Sequence, residues 1–105
     1  MAKFEHTQDL TSINYMKTIT LFCPLGNDYY TAGIEVSMAP GEYVMDYLDE
    51  ENFFKELQGK KLIIEDLVNT VYEHIMYEYA PTYLYVSVKA YNATHFPVVV
   101  TKESM

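Results

Sequence analysis

The chain has 105 residues, half of them hydrophobic, and a formal net charge of −8 at pH 7. Its length fits one domain, and its apolar content suffices for a folded core, which excludes a disordered chain. The acidic balance argues against direct binding of nucleic acid through its phosphates, because the densest basic spot is Lys60-Lys61. A ligand of the size of a free nucleobase is more compatible with this charge.

The cysteine content and the first residues indicate the compartment. Cys23 is the only cysteine, so an internal disulfide is excluded and a reducing environment is suitable. No apolar run approaches the length of a membrane span, and residues 1–11 are polar and do not resemble a secretion signal. We expect a cytoplasmic protein without membrane contact, in which residues 1–11 form a flexible N-terminal arm.

The first half of the chain predicts a β-hairpin. Strand-favouring residues from 13 to 22 are followed by a turn cluster of Pro, Gly, Asn and Asp within residues 24–28. From 31 to 38, apolar residues alternate with small or polar ones, which predicts a second strand with one apolar face. A Pro-Gly pair at 40–41 ends this strand, and residues 43–44 are expected to continue it as an edge.

Two helices and two strands are predicted after the hairpin. Asp46 or Asp49 can cap the first helix, whose acidic start, residues 46–51, is expected to be solvated. Apolar residues at three-and-four spacing predict a second helix from about 64 to 79. The last two strands are predicted at 83–90 and 96–101.

The order β-β-α-α-β-β predicts an α+β fold with a single domain over residues 1–105. One antiparallel four-stranded sheet would carry both helices on its apolar face. The other face is formed by small or mildly polar residues and tyrosines: Thr31, Gly33, Ser37, Tyr83, Tyr85 and Ser87. These residues either face solvent or line a barrel that other copies of the chain complete. The eleven tyrosines hint at association, because tyrosine suits half-buried surfaces and interfaces.

Two side chains are candidates for chemistry, and each has an ordinary alternative. Cys23 ends the first strand beside the turn, where a thiol can be exposed as a nucleophile, although a lone cysteine is more often a packing residue. Glu65 lies 42 positions later and begins the second helix. There it either complements the helix dipole or binds the ring N–H and amino group of a guanine-like base.

The three histidines do not predict a metal site. His6, His74 and His95 lack the short spacing of zinc motifs, and one cysteine cannot complete the usual structural set of ligands. No metal is therefore expected. Only His95, at the start of the last predicted strand, is kept as a candidate for substrate binding.

Three motifs carry a resemblance to a known family. They are Phe22-Cys23-Pro24, Ala39-Pro40-Gly41 and Glu65-Asp66-Leu67-Val68-Asn69. The chain resembles the tunnel-fold superfamily and, within it, the QueF family of 7-cyano-7-deazaguanine reductases. The resemblance implies a homo-oligomeric barrel with sites at subunit interfaces. It also implies that Cys23 adds to the nitrile of 7-cyano-7-deazaguanine (preQ0) to form a thioimide, while Glu65 binds the base.

The chain departs from the reductases at their cofactor motif. Where that family has lysines tied to NADPH, this chain reads Met45-Asp46-Tyr47-Leu48-Asp49-Glu50, so NADPH is doubtful and no cofactor is expected. The pattern is similar to the short QueF-like branch, whose members are amidinotransferases that add ammonia to the nitrile, as in archaeosine formation. We therefore favour amidine formation over reduction, within queuosine- or archaeosine-type modification of 7-deazaguanine for tRNA.

The proton donor and the overall class of function both stay open at this point. The aspartate that donates protons in the family matches Tyr30 without a gap, and matches Asp28 if the turn is shorter, so both residues are candidate acids. One alternative to an enzyme is a tunnel-fold protein that binds a purine or pterin without turnover. The other is a structural oligomer whose cysteine only packs.

Overall fold

A computed structural model describes residues 4–5, 12–91 and 96–104, with the backbone alone for residues 4–5. The helices and strands follow the predicted order β-β-α-α-β-β, with a short strand added before it and another within it. The elements are β1 (Phe4–Glu5), β2 (Ile13–Cys23), β3 (Asp28–Ala39), β4 (Tyr43–Val44), α1 (Tyr47–Leu57), α2 (Ile64–Tyr79), β5 (Tyr83–Tyr91) and β6 (Val98–Glu103).

The main sheet is antiparallel and has the strand order β2-β3-β5-β6. Alternate residues along each strand point to the same face, and on one face they are buried. Val36 of β3 pairs with Val86 of β5 on this face, and both are fully buried together with Phe54 of α1 and Val71 of α2. Both helices therefore cover one face of the sheet, which confirms the predicted α+β architecture of the subunit.

Helix α2 forms where the apolar spacing predicts it. Of its apolar face, Leu67, Val68, Val71, Ile75 and Tyr79 are buried. The helix ends because the next residue, an alanine, adopts the left-handed conformation with φ 44° and donates its N–H to the carbonyl of Met76.

Helix α1 begins at the expected cap, but one of its acidic residues is not solvated. The Asp46 carboxylate accepts hydrogen bonds from the N–H groups of Leu48 and Asp49, both at 3.1 Å. Glu50, however, is only 4% exposed. The prediction that residues 46–51 form a solvated helix start is therefore wrong for Glu50, whose carboxylate exchanges water for protein hydrogen-bond partners.

Two strand predictions are also corrected. Strand β4 does not continue β3 but pairs with β1 in a separate two-stranded sheet. Of the predicted N-terminal arm, residues 4–5 form β1, and the rest lie outside the described residues. Strand β6 begins at Val98 rather than at residue 96, because Pro97 has no N–H to donate to a ladder, and it extends to Glu103.

Candidate functional site

Cys23 is the last residue of β2 and lies beside the hairpin turn of residues 24–27. It pairs with Asp28 across the turn, and it points to the helix-covered face because it is two residues from buried Leu21. The side chain is half-buried, and its Sγ accepts a hydrogen bond from the N–H of Gly26 at 3.4 Å. This N–H orients the sulfur and interacts favourably with negative charge on it. The thiol is therefore held at the rim of the core rather than sealed inside it.

The connection between α1 and α2 brings the start of α2 to the end of β2. The Gly59 N–H donates to the Thr20 carbonyl at 2.7 Å, and the Phe22 N–H donates to the Lys60 carbonyl at 2.9 Å. The Leu62 N–H then donates to the Phe22 carbonyl at 3.1 Å. Residues 59–62 thus run along the outer edge of β2 and end next to the residue that precedes Cys23.

Glu65 lies in the first turn of α2, directly after this connection, and its side chain is exposed. The residue before the helix, Ile63, makes no side-chain capping bond, and Glu65 and Asp66 supply the negative charge of the first turn. Such charge complements the helix dipole. The exposed carboxylate of Glu65 can also accept hydrogen bonds from a ligand, so both predicted roles are compatible with its position.

Tyr30 connects the two predicted halves of the site. Its side chain is 4% exposed, and its hydroxyl donates to the carbonyl of Leu62 at 2.6 Å. Burial raises the pKa of Tyr30 to about 12, with further contributions from the negative charges of Cys23, Glu65 and Asp66. Through Leu62 this bond reaches the end of β2, because the Leu62 N–H donates to the carbonyl of Phe22, the residue before Cys23. Glu65 follows three residues after Leu62, so Cys23 and Glu65, 42 positions apart in sequence, lie on two segments that the main chain of Leu62 joins.

Asp28 begins β3, the other strand of the same hairpin. It is exposed and directly opposite Cys23, and its carboxylate accepts the N–H of Tyr29 at 2.8 Å. The rings of Phe22 and Tyr29 meet edge to face beside it, with centroids 5.1 Å apart. Asp28 thus offers an exposed carboxylate on the residue paired with Cys23, with aromatic side chains on the adjacent positions.

The remaining predictions about the site concern ligands and metals. His95 lies outside the described residues, so its candidacy for substrate binding stays a prediction. Among the residues that the structure describes, no three His, Cys, Asp or Glu side chains converge in a way that suits a metal ion. Within the same residues, no helix has both the length and the apolar character needed to cross a membrane.

Two features of the structure were not predicted from the sequence. The bridge between residues 59–62 and β2 involves main-chain groups, which leave no side-chain pattern to detect. The second is a buried cluster in which the Glu50 carboxylate contacts the Tyr15 hydroxyl at 3.0 Å and His74 Nε2 at 2.6 Å. Tyr15 and His74 lie close to Glu50 in space but far from it in sequence, so no local sequence pattern predicts these contacts.

The structure thus has an antiparallel four-stranded sheet with two helices on one face, with Cys23 at the end of β2 and Glu65 in the first turn of α2. Among solved structures, the chain is similar to an archaeosine synthase described as QueF-Like, determined in its apo form. The TM-score is 0.85, the sequence identity is 20%, and the alignment covers 92% of this chain and 96% of that one. No family model matches the chain, and no curated protein matches it either.

This similarity confirms the predicted fold of the subunit. At 20% identity, it establishes that the two chains share an architecture, and it does not transfer an activity from one to the other. The predicted closure of several subunits into a barrel concerns an assembly, and it stays a prediction.

Proposed function

We propose that the chain is an enzyme of 7-deazaguanine modification that acts on the nitrile of 7-cyano-7-deazaguanine through Cys23, with Glu65 as the residue that binds the base. The observation that carries the proposal is the main-chain bridge from Leu62 to Phe22, which brings the start of α2, with Glu65, next to the end of β2, with Cys23. The fold shared with an archaeosine synthase supports the same class of chemistry. The half-buried thiol with an N–H directed at its sulfur suits a nucleophile better than a sealed packing residue.

The first step is the formation of a covalent thioimide. The Cys23 thiolate forms a bond to the nitrile carbon, the electron pair of one carbon–nitrogen bond moves to nitrogen, and that nitrogen takes up a proton. Glu65 accepts hydrogen bonds from the ring N–H and the amino group of the base, a charge-assisted pair that fixes its orientation. Holding the nitrile against the sulfur makes the addition effectively intramolecular.

The second step is the replacement of sulfur by ammonia. Ammonia adds to the thioimide carbon, the carbon–sulfur bond breaks, and the thiolate leaves with its electron pair, so that an amidine is released without any change of oxidation state. Reduction would instead require hydride from NADPH. The stretch that corresponds to the reductase cofactor motif contains no lysine and forms the acidic start of α1, which would repel a phosphate-bearing cofactor.

Asp28 is the better of the two candidate proton carriers. Its exposed carboxylate lies across the turn from Cys23, where water can exchange protons with it. The Tyr30 proton is already donated to the Leu62 carbonyl, and the pKa of Tyr30 is raised to about 12 by burial and by neighbouring negative charges. An acid with that pKa releases its proton poorly near neutral pH.

We further propose that the sheet face opposite the helices is covered by other copies of the chain. Ser87 on this face is buried and Tyr85 half-buried. The sheet is bounded by the outer edge of β6 and by the part of the β2 edge before Thr20, which residues 59–62 leave uncovered. Closure of such edges by neighbouring subunits would complete a barrel with sites between subunits. The net charge of −8 argues that the partner is a small 7-deazapurine and not nucleic acid, and a cytoplasmic location stays a prediction.

Mass spectrometry of the intact protein tests the proposed reaction. Incubation with 7-cyano-7-deazaguanine should give a covalent adduct that is absent in Cys23→Ala, and ammonium should discharge the adduct while NADPH leaves it unchanged. Discharge by NADPH alone would favour reduction. Reversible binding without an adduct would favour a binding protein without turnover, and no interaction at all would leave a structural oligomer.

A pair of neighbouring carboxylates gives a matched control for base recognition. Glu65→Gln should weaken binding of the base by about tenfold to a hundredfold, since it removes one charged partner of a hydrogen-bonded pair. Asp66→Asn, which neutralises the adjacent exposed residue of the same helical turn, should change the affinity by less than about twofold. Equal effects of the two variants would contradict the role assigned to Glu65.

A further inference from the structure

We propose that Tyr30 is a positioning residue: its hydroxyl holds the Leu62 carbonyl and thereby sets the place of Glu65 relative to Cys23. This inference rests on the function proposed above and assigns a residue that acts through another rather than on the substrate. The bond is short, at 2.6 Å, and it joins β3 to the connection between the helices, 32 positions later in sequence. Both its length and its burial indicate a fixed contact.

The main-chain groups of Leu62 join the two halves of the site. Its N–H donates to the carbonyl of Phe22, the residue before Cys23, and its carbonyl accepts the Tyr30 hydroxyl. Glu65 follows three residues later, in the first turn of α2. The main chain of Leu62 is therefore hydrogen-bonded both to β2, which carries Cys23, and to the neighbouring strand β3.

The first turn of α2 depends on this connection because it has no side-chain cap. Ile63 at the cap position makes no such bond, and within the turn Ile64 packs only partly buried against the core, while Leu67 is the first fully buried residue. Loss of the Tyr30 hydroxyl would leave the Leu62 carbonyl without this donor in a part-buried place. A small displacement of the connection would move Glu65, and binding that depends on two simultaneous hydrogen bonds is sensitive to such displacement.

The test compares Tyr30→Phe with Tyr72→Phe, which makes the same chemical change on α2. Affinity for 7-cyano-7-deazaguanine is measured by calorimetry in the Cys23→Ala background, and adduct formation by mass spectrometry with Cys23 intact. Tyr30→Phe should weaken binding about tenfold, the effect of one lost hydrogen bond. The pH profile of adduct formation should keep its shape, and Tyr72→Phe should match the parent chain.

Two results would overturn the inference. Unchanged affinity with a lost limb of the pH profile would make Tyr30 the proton donor. In a Glu65→Ala background, Tyr30→Phe should no longer change the affinity for the base. If it weakens binding there as much as in the parent chain, Tyr30 does not act through Glu65.

Amide hydrogen exchange separates this inference from the proposed function. In the ligand-free protein, Tyr30→Phe should speed exchange at the hydrogen-bonded Leu62 and Leu67 amides relative to the parent chain and to Tyr72→Phe. Unchanged exchange at these amides would contradict the positioning role whether or not the base binds. If the parent chain neither binds the base nor forms an adduct, the proposed function fails, and the exchange result alone decides the role of Tyr30.

Discussion

Replacement of Glu50 is expected to destabilise the fold more than replacement of any neighbouring acidic residue in α1. Its buried carboxylate links α1 to two other elements. Tyr15 of β2 donates to Oε1 at 3.0 Å, and His74 Nε2 of α2 lies 2.6 Å from Oε2. The Tyr79 hydroxyl of α2 also donates to Oε2, at 3.4 Å. The ring of Phe53 stacks on His74 with the centroids 3.7 Å apart, which fixes the imidazole in place.

The magnitude follows from the partners that Glu50→Ala leaves behind. A buried polar group without a partner costs about 1–3 kcal/mol, and Glu50→Ala removes the partner of the Tyr15 hydroxyl, of His74 Nε2 and of one Tyr79 hydroxyl contact. Because these costs overlap, we expect Glu50→Ala to lower the free energy of unfolding by about 3–5 kcal/mol. That is a large fraction of the roughly 5–15 kcal/mol that stabilises a typical domain. Glu50→Gln keeps an acceptor for Tyr15 and should cost less.

Urea denaturation provides the assay, and Glu51→Ala is its matched control. Glu51 is the next residue of the same helix, and its carboxylate bonds Lys17 at 2.9 Å while its side chain remains 50% exposed. Such a surface pair is worth about 0–1 kcal/mol. The midpoint should therefore fall sharply for Glu50→Ala and only slightly for Glu51→Ala. Similar midpoints for the two variants would refute the account of Glu50 as a buried link between β2, α1 and α2.

Three further predictions concern stability. Asp46→Ala removes the acceptor for two N–H groups of α1 and should cost about 1 kcal/mol in urea denaturation, whereas Asp46→Asn should retain most of the stability. Gly41→Ala would place a Cβ 2.6 Å from the Ala80 carbonyl oxygen and should cost about 1–3 kcal/mol of stability. In the control Gly26→Ala, the nearest atom to the new Cβ would lie at 3.8 Å, so stability should not change. Equal thermal midpoints for the two variants would contradict this prediction. The pKa of Tyr30 is raised to about 12, so its contribution to stability is complete below pH 10 and is lost as the pH rises towards 12. In Tyr30→Phe, the decrease in the free energy of unfolding between pH 10 and pH 12 should be smaller by about 3 kcal/mol, as measured by denaturation at several pH values. An unchanged pH dependence would count against the buried environment assigned to Tyr30.

The elements of the fold follow from local patterns in the sequence. Helix α2 has the predicted bounds because its apolar residues repeat regularly over sixteen residues and a proline follows it closely. Strands β2 and β3 were predicted from alternation and from the turn between them, and the cap at Asp46 from its residue type. Cys23 and Glu65 were identified by motif, and their roles stay a prediction, although the bridge from Leu62 to Phe22 brings the segments that carry them together.

Contacts between distant segments could not be predicted in the same way. The burial of Glu50 depends on Tyr15 and His74, which are 35 and 24 positions away, and a glutamate in the first turn of a helix looks the same whether it faces water or such partners. The bond from Tyr30 to the Leu62 carbonyl has a main-chain acceptor, so no residue type at position 62 signals it. Strand β4 was placed at the wrong partner because two residues carry too little pattern to choose between edges.

A crystal structure of the protein soaked with 7-cyano-7-deazaguanine tests the central claim most directly. We predict continuous density from Cys23 Sγ to the former nitrile carbon, with the Glu65 carboxylate on the ring N–H and amino group of the same base. A base bound without contact to Glu65, or a sulfur left unmodified while the base occupies another place, would contradict the account.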